Sequence, residues 1–573
     1  MLPHPPPLEN GKSNMQDTTG PPASQPASLS VGCLHSPINF SSHVVALTDN
    51  TPFPDASSQL HSLATFNLFA SGEKVAMKVV LGLVVVVVMV VMMVRADSEG
   101  DSVKVELTQG VVEGVALPTG GTDSNRVYYS FRGIPYAKPP LGKLRFKDPV
   151  PAEGWEGIRA PFNPPPCPQL DLIGFFQQKF SPVGEEDCLY LHVYTPKVGE
   201  TDSPLPVMVY IHGGGFLFGE GDTAGGSALP LLTKDVVLVS LQYRLGALGF
   251  ISTEDSALPG NMGLRDQTQA FRWVQHNIHS FGGDPDRVTI FGESAGAAAV
   301  HFQILSPEAE GLFHRAILQS GTTLNPWALR HDHKQSAISV GKKLGCLGAD
   351  DDDVEGEALL ECLQEIPAGQ IVAVGSMSTT EMPFMMFVPR VDGEFLPAHP
   401  ASLLATGRYN KVDLISGVNK HEGAMSMPGM VMKLSAEGGI TVGDLVPIAP
   451  DIFGLTQEEG GGKDLAIRAL YHYLGDDNTK LTLHPDTTDI MVKMLSDATF
   501  IVQHEDIARL HTRDAAYNNS IYLYQLDHRA PITFSTLLGL TIENEWVCHA
   551  DELQYLFTNV FGFMTLNDHW NRY

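Results

Sequence analysis

Basic residues and cysteine are both scarce in this sequence. Its 573 residues include 37 lysines and arginines against 65 aspartates and glutamates, and the formal net charge is −28. Because a surface of this sign repels phosphate backbones, nucleic acid is not an expected partner. The six cysteines form no C-x-x-C motif, so the sequence does not support a zinc site or a thioredoxin-type redox motif. The hydrophobic content of 43% is typical of a globular protein with a large core.

Apolar runs approaching membrane length are also scarce, and the one that stands out covers only 16 residues, from Val79 to Val94. Met77-Lys78 precedes this run and the small residue Ala96 follows it. A basic start, an apolar core and a small-residue exit are the parts of a secretory signal peptide. The run is slightly short for a membrane span. We therefore predict a signal peptide at 77–96 and secretion, with a signal anchor as the alternative.

Residues 1–76 are rich in proline, serine, threonine and asparagine and show no hydrophobic periodicity. Such a composition is typical of disorder. Because signal peptides are read at an N-terminus, we hypothesise that translation begins at Met77 and that 1–76 is an upstream extension of the gene model. Residues 97–573 are expected to form the folded protein, without stable membrane insertion after the signal peptide is removed.

Short apolar runs alternate with helical patterns through the middle of the chain. This alternation is typical of an α/β fold with a large, mostly parallel central sheet flanked by helices. The predicted elements are a β-hairpin at 103–115, a helix at 261–280, and strands at 205–211, 235–241, 288–291, 315–319, 412–417 and 521–525.

The strand at 288–291 runs into Gly292-Glu-Ser-Ala-Gly296, and alanines that favour helix follow. A strand, a G-x-S-x-G turn and a helix are typical of a nucleophile held in a strained turn, in this chain Ser294, with its hydroxyl exposed at the end of the sheet. The flanking glycines are expected because a Cβ at either position would collide with a neighbouring strand or helix. A plain glycine-rich turn is the alternative until a base, an acid and an oxyanion hole are found.

A second glycine-rich loop, His212-Gly-Gly-Gly-Phe216, follows the strand at 205–211. Residues without side chains allow backbone N–H groups to reach a substrate oxygen, so Gly214 and Gly215 are candidate oxyanion donors. The N–H of Ala295, directly after the nucleophile, is the third candidate. A flexible loop is the alternative, but two such loops after two buried strands are a more specific signal than one.

An acid and a histidine are expected in that order after the nucleophile. Glu422 lies just past the strand at 412–417, and His549 lies near the end of the chain. His421 is the strongest competing base. It is adjacent to Glu422, so the two side chains diverge, and it precedes rather than follows the acid.

The assembled motifs resemble the type-B carboxylesterase family, the cholinesterase and carboxylesterase branch of the α/β-hydrolases, and most of all its secreted arthropod carboxylesterases. The resemblance covers roughly 101–573, with its motifs in family order. The motifs are Phe131-Arg-Gly-Ile-Pro-Tyr-Ala, Glu186-Asp-Cys-Leu-Tyr-Leu-His, His212-Gly-Gly-Gly-Phe, Asn261-Met-Gly-Leu-Arg-Asp-Gln, Phe281-Gly-Gly-Asp-Pro, Gly292-Glu-Ser-Ala-Gly, Gly417-Val-Asn-Lys-His-Glu-Gly and Cys548-His-Ala-Asp-Glu-Leu.

The resemblance implies an α/β-hydrolase fold and a catalytic triad. It assigns Ser294 as nucleophile, His549 as base and Glu422 as acid, in preference to Asp413 and Asp551. It also implies the oxyanion donors Gly214, Gly215 and Ala295 and two disulfides, Cys167–Cys188 and Cys346–Cys362.

Three features depart from the family pattern. Gln178 occupies the distance from Cys188 at which cholinesterases carry a choline-binding tryptophan, so a site for quaternary ammonium is not expected. Glu293 replaces the glutamine that juvenile hormone esterases usually have before the serine, which favours a general carboxylesterase. The sequence ends at Tyr573, soon after His549, and we expect a C-terminal truncation relative to the family.

The sequence therefore predicts a secreted serine carboxylic-ester hydrolase without a metal or cofactor, acting on small to medium hydrophobic esters. Its expected partner is a small-molecule ester substrate, and no oligomeric state is predicted. Asn518, in an N-x-S sequon, is a predicted glycosylation site. A catalytically impaired adhesion protein, a non-functional truncated product and a lipase are the alternatives.

Overall fold

The computed structural model describes residues 102–557, except 120–125, 172–180, 222–228, 352, 377–386, 436–438, 456–460, 514–519, 530–532 and 538–544. The predicted signal peptide at 77–96, the extension 1–76, Gln178 and the sequon at Asn518 lie outside the described residues. None of the helices in the described ranges is long and apolar enough to span a membrane.

In chain order, the strands of the described residues are β1 (Ser102–Leu107), β2 (Gly110–Pro118), β3 (Val127–Pro135), β4 (Ile158–Arg159), β5 (Gln169–Leu170), β6 (Pro182–Val183), β7 (Tyr190–Thr195), β8 (Leu205–Ile211), β9 (Val237–Leu241), β10 (Gly283–Glu293), β11 (Arg315–Gln319), β12 (Asp413–Asn419), β13 (Ile440–Thr441), β14 (Lys480–Leu481) and β15 (Ile521–Leu526).

The helices include several single turns. They are α1 (Leu229–Leu232), α2 (Gly246–Phe250), α3 (Met262–Asn277), α4 (Ala295–Leu305), α5 (His333–Leu344), α6 (Gly356–Glu365), α7 (Ala368–Ser376), α8 (Pro400–Ala405), α9 (Met427–Leu434), α10 (Ala449–Ile452), α11 (Gly462–Leu474), α12 (Pro485–Ser496), α13 (Val502–Thr512), α14 (Phe534–Leu537) and α15 (Leu553–Leu556). Short 3₁₀ turns lie at Gly142–Leu144, Ile278–Phe281, Pro307–Ala309, Glu422–Ser426 and Val442–Ile448, and a π-helical turn lies at Asp497–Ile501.

One large sheet organises the fold, in the order β1-β2-β3-β7-β9-β8-β10-β11-β12-β15, with β4 paired to β2. The strands from β9 to β15 in this order are all parallel, and those from β1 to β9 pair antiparallel. This is the mostly parallel α/β-hydrolase sheet that the sequence predicts. Because the parallel strands β8, β10, β11 and β12 run in the same direction, the loops after them share one edge of the sheet.

Several predicted elements are confirmed with small shifts at their ends. The first two strands form the expected antiparallel hairpin. Strands β8 and β11 match their predicted bounds, whereas β10 begins five residues earlier than the apolar run at 288–291. The central strands are buried on both faces because helices cover the sheet. Helix α4, which follows the G-x-S-x-G turn, is buried along its whole length.

Candidate active site

Ser294 stands at the sharp turn between β10 and α4. Its backbone adopts φ 59° and ψ −124°, a conformation that side-chain-bearing residues rarely take, and its N–H donates to the Gln319 carbonyl at 2.8 Å. A Cβ at Gly296 would lie 2.1 Å from the Ile211 carbonyl oxygen, and one at Gly292 would lie 2.6 Å from the Gly296 carbonyl carbon. The predicted reason for both glycines, close approach of neighbouring backbone, is therefore confirmed.

The glycine-rich loop after β8 lies directly beside this turn. A Cβ at Gly213 would come within 3.2 Å of the Ser294 Cβ. Gly214 and Gly215 have φ values of +105° and +64°, which favour glycine, and a Cβ at Gly214 would lie 2.3 Å from the Phe218 carbonyl oxygen. A Cβ at Gly215 would meet no atom within 4 Å. Glycine is favoured there by the positive φ and not by a close contact. Within the described ranges, the N–H groups of Gly214 and Gly215 donate no hydrogen bond.

His549 is held by Glu422. The Nδ1 atom of His549 lies 2.7 Å from Glu422 Oε2, and both side chains are buried. Glu422 begins the 3₁₀ turn just after β12, and its Oε1 accepts the Asn419 N–H at 2.6 Å. The carboxylate therefore has one oxygen fixed by the backbone at the end of β12 and the other directed at the imidazole.

The loop around His549 is fixed by side chains that are distant in the sequence. Asp551 accepts the N–H groups of Cys548 and Phe534 at 2.8 and 2.7 Å. Asn419 donates to the Cys548 carbonyl at 2.8 Å and to Glu552 Oε2 at 2.5 Å. These contacts bind the loop to the end of β12 and to α14, and sequence reasoning gave no role to Asn419 or Glu552.

The competing residues of the sequence analysis have other partners. His421 Nδ1 accepts the Val547 N–H at 2.9 Å, so this ring stabilises the backbone of the loop that carries His549. Asp413 lies at the opposite end of β12, where it accepts the Ser520 N–H at 3.0 Å. Asp551 binds the two backbone N–H groups of the histidine loop and α14. Of these acids, Glu422 is the one hydrogen-bonded to His549.

The Nε2 atom of His549 faces a second carboxylate, with Glu293 Oε1 at 3.0 Å. Glu293 directly precedes the nucleophile and is buried with the imidazole. A hydrogen bond between Ser294 Oγ and His549 is not among the contacts of the described residues. Sequence reasoning used Glu293 only to separate subgroups and missed this contact, although its place beside Ser294 was a signal.

A sequence profile described as the carboxylesterase family matches residues 101–570. The chain belongs to the carboxylesterase family. It is 36% identical over 453 residues to an acylcarnitine hydrolase of Mus musculus, covering 78% of this chain and 76% of the relative. It is 36% identical over 458 residues to a cocaine esterase of Homo sapiens, covering 77% and 75%. A medium-chain fatty acyl-CoA hydrolase precursor of Anas platyrhynchos is 34% identical over 477 residues, covering 82% and 81%.

The site of this carboxylesterase concentrates buried acidic groups around one imidazole. Burial by itself lowers the pKa of His549, but the charge of Glu293 and the hydrogen bond that the ring donates to Glu422 outweigh it and raise this pKa to about 9. Burial raises the pKa values of Glu293 and Glu552, and it raises that of Asp551 to about 7. Carboxylates on both sides of the ring therefore favour the protonated imidazole, and the contact between Nε2 and Glu293 Oε1 is electrostatic, without hydrogen-bond geometry.

Two disulfides, Cys167–Cys188 and Cys346–Cys362, join the cysteines that the resemblance pairs. Cys548 is a buried free thiol next to His549, and burial raises its pKa well above the ordinary value. A raised pKa keeps the sulfur protonated and unreactive. The two bridges fit an oxidising compartment.

Proposed function

We propose that this carboxylesterase is a secreted serine esterase that cleaves small to medium hydrophobic esters through a covalent acyl-enzyme. The observation that carries the proposal is the strained turn at Ser294, which lies beside the glycine loop on the same edge of the sheet as the Glu422–His549 pair. Nucleophile, oxyanion donors, base and acid are the four parts that acyl transfer needs.

In the first step, Ser294 Oγ attacks the ester carbonyl carbon and its proton passes to His549 Nε2. The carbonyl oxygen becomes an oxyanion that the N–H groups of Gly214, Gly215 and Ala295 bind, and each such donor typically lowers the barrier by about 3–4 kcal/mol. The bond to the alcohol oxygen then breaks, and that oxygen takes the proton from His549. The alcohol leaves, and the acyl group remains on Ser294.

In the second step, water attacks the acyl carbon and gives a proton to His549. The bond to Ser294 breaks, its oxygen recovers the proton, and the carboxylic acid leaves. Glu422 keeps the imidazole in the tautomer that accepts at Nε2 and stabilises the cation that forms. Both steps need the neutral imidazole, so a proton held at Nε2 is first released to solvent and the ring turns from Glu293 towards Ser294. Catalytic hydrogen bonds are often long in resting sites and shorten when substrate binds.

The substrate class rests on the relatives. Their names refer to acylcarnitine, cocaine and medium-chain fatty acyl-CoA, which share an acyl carbon bonded to an oxygen or sulfur leaving group. For this chain we propose small to medium hydrophobic carboxylic esters. Expression in a secretory host and N-terminal sequencing test the export signal, and we expect the secreted chain to begin after Ala96.

Hydrolysis of p-nitrophenyl acetate and butyrate by the secreted full chain tests the reaction, with Ser294→Ala as the matched variant. We expect a burst of p-nitrophenol equal to the enzyme concentration, and we expect Ser294→Ala to lose both burst and turnover. Equal rates for the two proteins would overturn the esterase function and favour the adhesion class.

A further inference from the structure

The long helical segment from Pro485 to Thr512 contains one π-helical turn. Helix α12 ends at Ser496, α13 begins at Val502, and the turn Asp497–Ile501 joins them without a break. The Val502 N–H donates to the Asp497 carbonyl, five residues back. Such turns are rare in α-helices and lie frequently at functional sites, because the extra residue rotates the side chains that follow it.

Carbonyl groups of the π turn accept hydrogen bonds from side chains. The Thr499 carbonyl accepts from Trp327 Nε1 at 3.0 Å and from Asn325 Nδ2 at 2.5 Å. The Ala498 carbonyl accepts from Gln503 Nε2 at 2.9 Å. Trp327 and Asn325 belong to the segment after β11, so the turn is attached to the same edge of the sheet as Ser294.

The π turn places an aromatic ring against the proposed catalytic base. The Phe500 and His549 ring centroids lie 4.7 Å apart with an interplanar angle of 42°. Trp327 packs against Phe500 with a centroid distance of 5.7 Å. All three side chains are buried, at 5%, 3% and 6% exposure for Phe500, His549 and Trp327. The imidazole is therefore bordered by a ring that is itself fixed by a hydrogen-bonded tryptophan.

The same helical segment also borders the proposed acid. Ser496 Oγ accepts the Gly423 N–H at 2.9 Å, directly after Glu422. A Cβ at Gly423 would lie 2.6 Å from the Leu495 Cβ, so the backbone after the acid touches α12. One turn after Phe500, His504 Nδ1 lies 2.9 Å from Ser416 Oγ of β12. One helical segment thus contacts the base, the backbone directly after the acid and the strand that precedes the acid.

We infer that the π turn at 497–501 is a positioning element for the base, and that Phe500 is its positioning residue. The inference rests on the proposed function, because it concerns the motion of His549 between Glu293 and Ser294. With Nδ1 held by Glu422, the Phe500 ring lies against the imidazole and limits its rotation about the Cβ–Cγ bond. Misplacement of a reacting group by about 1 Å costs on the order of a hundredfold in rate.

The test is Phe500→Leu, which keeps an apolar side chain but removes the flat ring, with Phe313→Leu as control. Phe313 is equally buried and packs on Phe271 in an edge-on pair, but it precedes β11 and lies at the opposite edge of the sheet. Turnover is divided by the burst amplitude, so that kcat is counted per competent site. We expect Phe500→Leu to lose at least about tenfold in kcat for acetate and butyrate esters alike, with KM changed less than about threefold.

We also expect the pH midpoint of kcat/KM to fall in Phe500→Leu, because water admitted beside the ring weakens the attraction of Glu293 and Glu422 that holds the pKa of His549 above its ordinary value. Phe313→Leu is expected to leave kcat per site and the midpoint unchanged. Wild-type kcat and midpoint in Phe500→Leu would overturn the inference, and so would a loss confined to one ester length.

Trp327→Phe gives a second measurement, because it keeps a ring against Phe500 and removes the N–H bond to Thr499. We expect a loss of a few fold in kcat per site, and its absence would overturn the role of the turn. Failure of the proposed function is distinguishable, because the wild type and Ser294→Ala would then hydrolyse p-nitrophenyl butyrate at equal rates.

Discussion

The two halves of the site are built in different ways. The nucleophile side, residues 292–296, is one continuous turn whose geometry comes from backbone sterics and from glycines with no room for a Cβ. The base side, residues 546–552, has no regular secondary structure that fixes it. It depends on Asn419, Glu422 and Phe534 and on the ring of Phe500, which are distant in the sequence.

This difference has a mechanical consequence. The strained turn at Ser294 lies between the buried end of β10 and a helix that is buried along its whole length, so the nucleophile has little freedom. His549 is held by a hydrogen bond to Glu422 and by ring packing against Phe500, and its Nε2 faces Glu293 Oε1 at 3.0 Å. We therefore expect substitutions on the nucleophile side to act through folding, and substitutions on the base side to act through rate and pH dependence.

Glu422→Gln is expected to have the largest effect on kcat, and it disrupts the base side of the site without changing the nucleophile side. The amide NH₂ would face Nδ1, so Nε2 would carry the proton and could not accept one from Ser294. We expect kcat for p-nitrophenyl butyrate to fall by about 10⁴-fold, as for the tautomer change in other triads. The melting temperature should change by a few degrees at most, since the single amide oxygen of the new glutamine can still accept the Asn419 N–H.

Asp413→Asn is the control, since it makes the same acid-to-amide change at the other end of β12. We expect its kcat to equal that of the wild type. A comparable loss in both variants would mean that damage to the strand, and not the loss of the acid, explains the rate.

Gly296→Ala is expected to disrupt the packing of the nucleophile side. The new Cβ would lie 2.1 Å from the Ile211 carbonyl oxygen, which is backbone and cannot move aside. We expect a loss of about 3 kcal/mol in the free energy of unfolding, measured as a lower urea midpoint. In Gly429→Ala, where α9 is exposed and nothing lies within 4 Å of the new Cβ, stability should rise by up to about 1 kcal/mol. A soluble, fully stable Gly296→Ala protein would contradict the proposed rigidity.

The difference between the two sides also explains which parts of the site could be predicted from the sequence. Strand β10, the turn and α4 are consecutive, so hydrophobic pattern and glycine spacing were enough to predict them. The bounds of β8 and β11 were predicted for the same local reason. The parallel order of the strands and the pairing of Glu422 with a histidine far along the chain came from the family resemblance and not from the local pattern.

Other parts of the site had no local signal. The contact between Glu293 and His549 depends on how the loop 546–552 packs against the edge of the sheet, which is a tertiary contact. The ring contact of Phe500 depends on a π turn, because an uninterrupted α-helix would rotate that side chain by roughly 100°. Nothing in Asp497-Ala-Thr-Phe-Ile distinguishes the turn from an ordinary helix, because it is selected by tertiary bonds to the Thr499 carbonyl.

Asn419→Ala tests the connection of the base side to β12. It removes the donor for the Cys548 carbonyl and for Glu552, and an unsatisfied buried group costs about 1–3 kcal/mol. We expect kcat to fall about tenfold as the loop loosens, which corresponds to about 1.4 kcal/mol of barrier. Asn277→Ala removes a buried asparagine that bonds Trp273 and Thr108 away from the site, so its stability should fall similarly with kcat unchanged. Equal losses of kcat in Asn419→Ala and Asn277→Ala would mean that Asn419 acts on the rate only through general stability.

Glu293→Gln is expected to have the smallest effect, and it tests the contact between Glu293 and Nε2 of His549. The pKa of His549 is about 9 because carboxylates outweigh its burial, so removal of one negative charge lowers it. Since Nε2 must be unprotonated to accept the Ser294 proton, kcat/KM should reach half its maximum about 1–2 pH units lower than in the wild type. Glu308→Gln, an acid paired with Arg265 outside the site, should leave the midpoint unchanged.

The same pair gives a stability test with a defined sign. A histidine whose folded pKa of about 9 exceeds its ordinary 6.5 adds stability that is complete below pH 6.5 and is lost as the pH rises through 9. The wild type should therefore lose more stability than Glu293→Gln over that interval, measured as melting temperature against pH. An unchanged kcat/KM midpoint together with parallel melting curves would mean that Glu293 does not hold the imidazole, and the base side would then be as rigid as the nucleophile side.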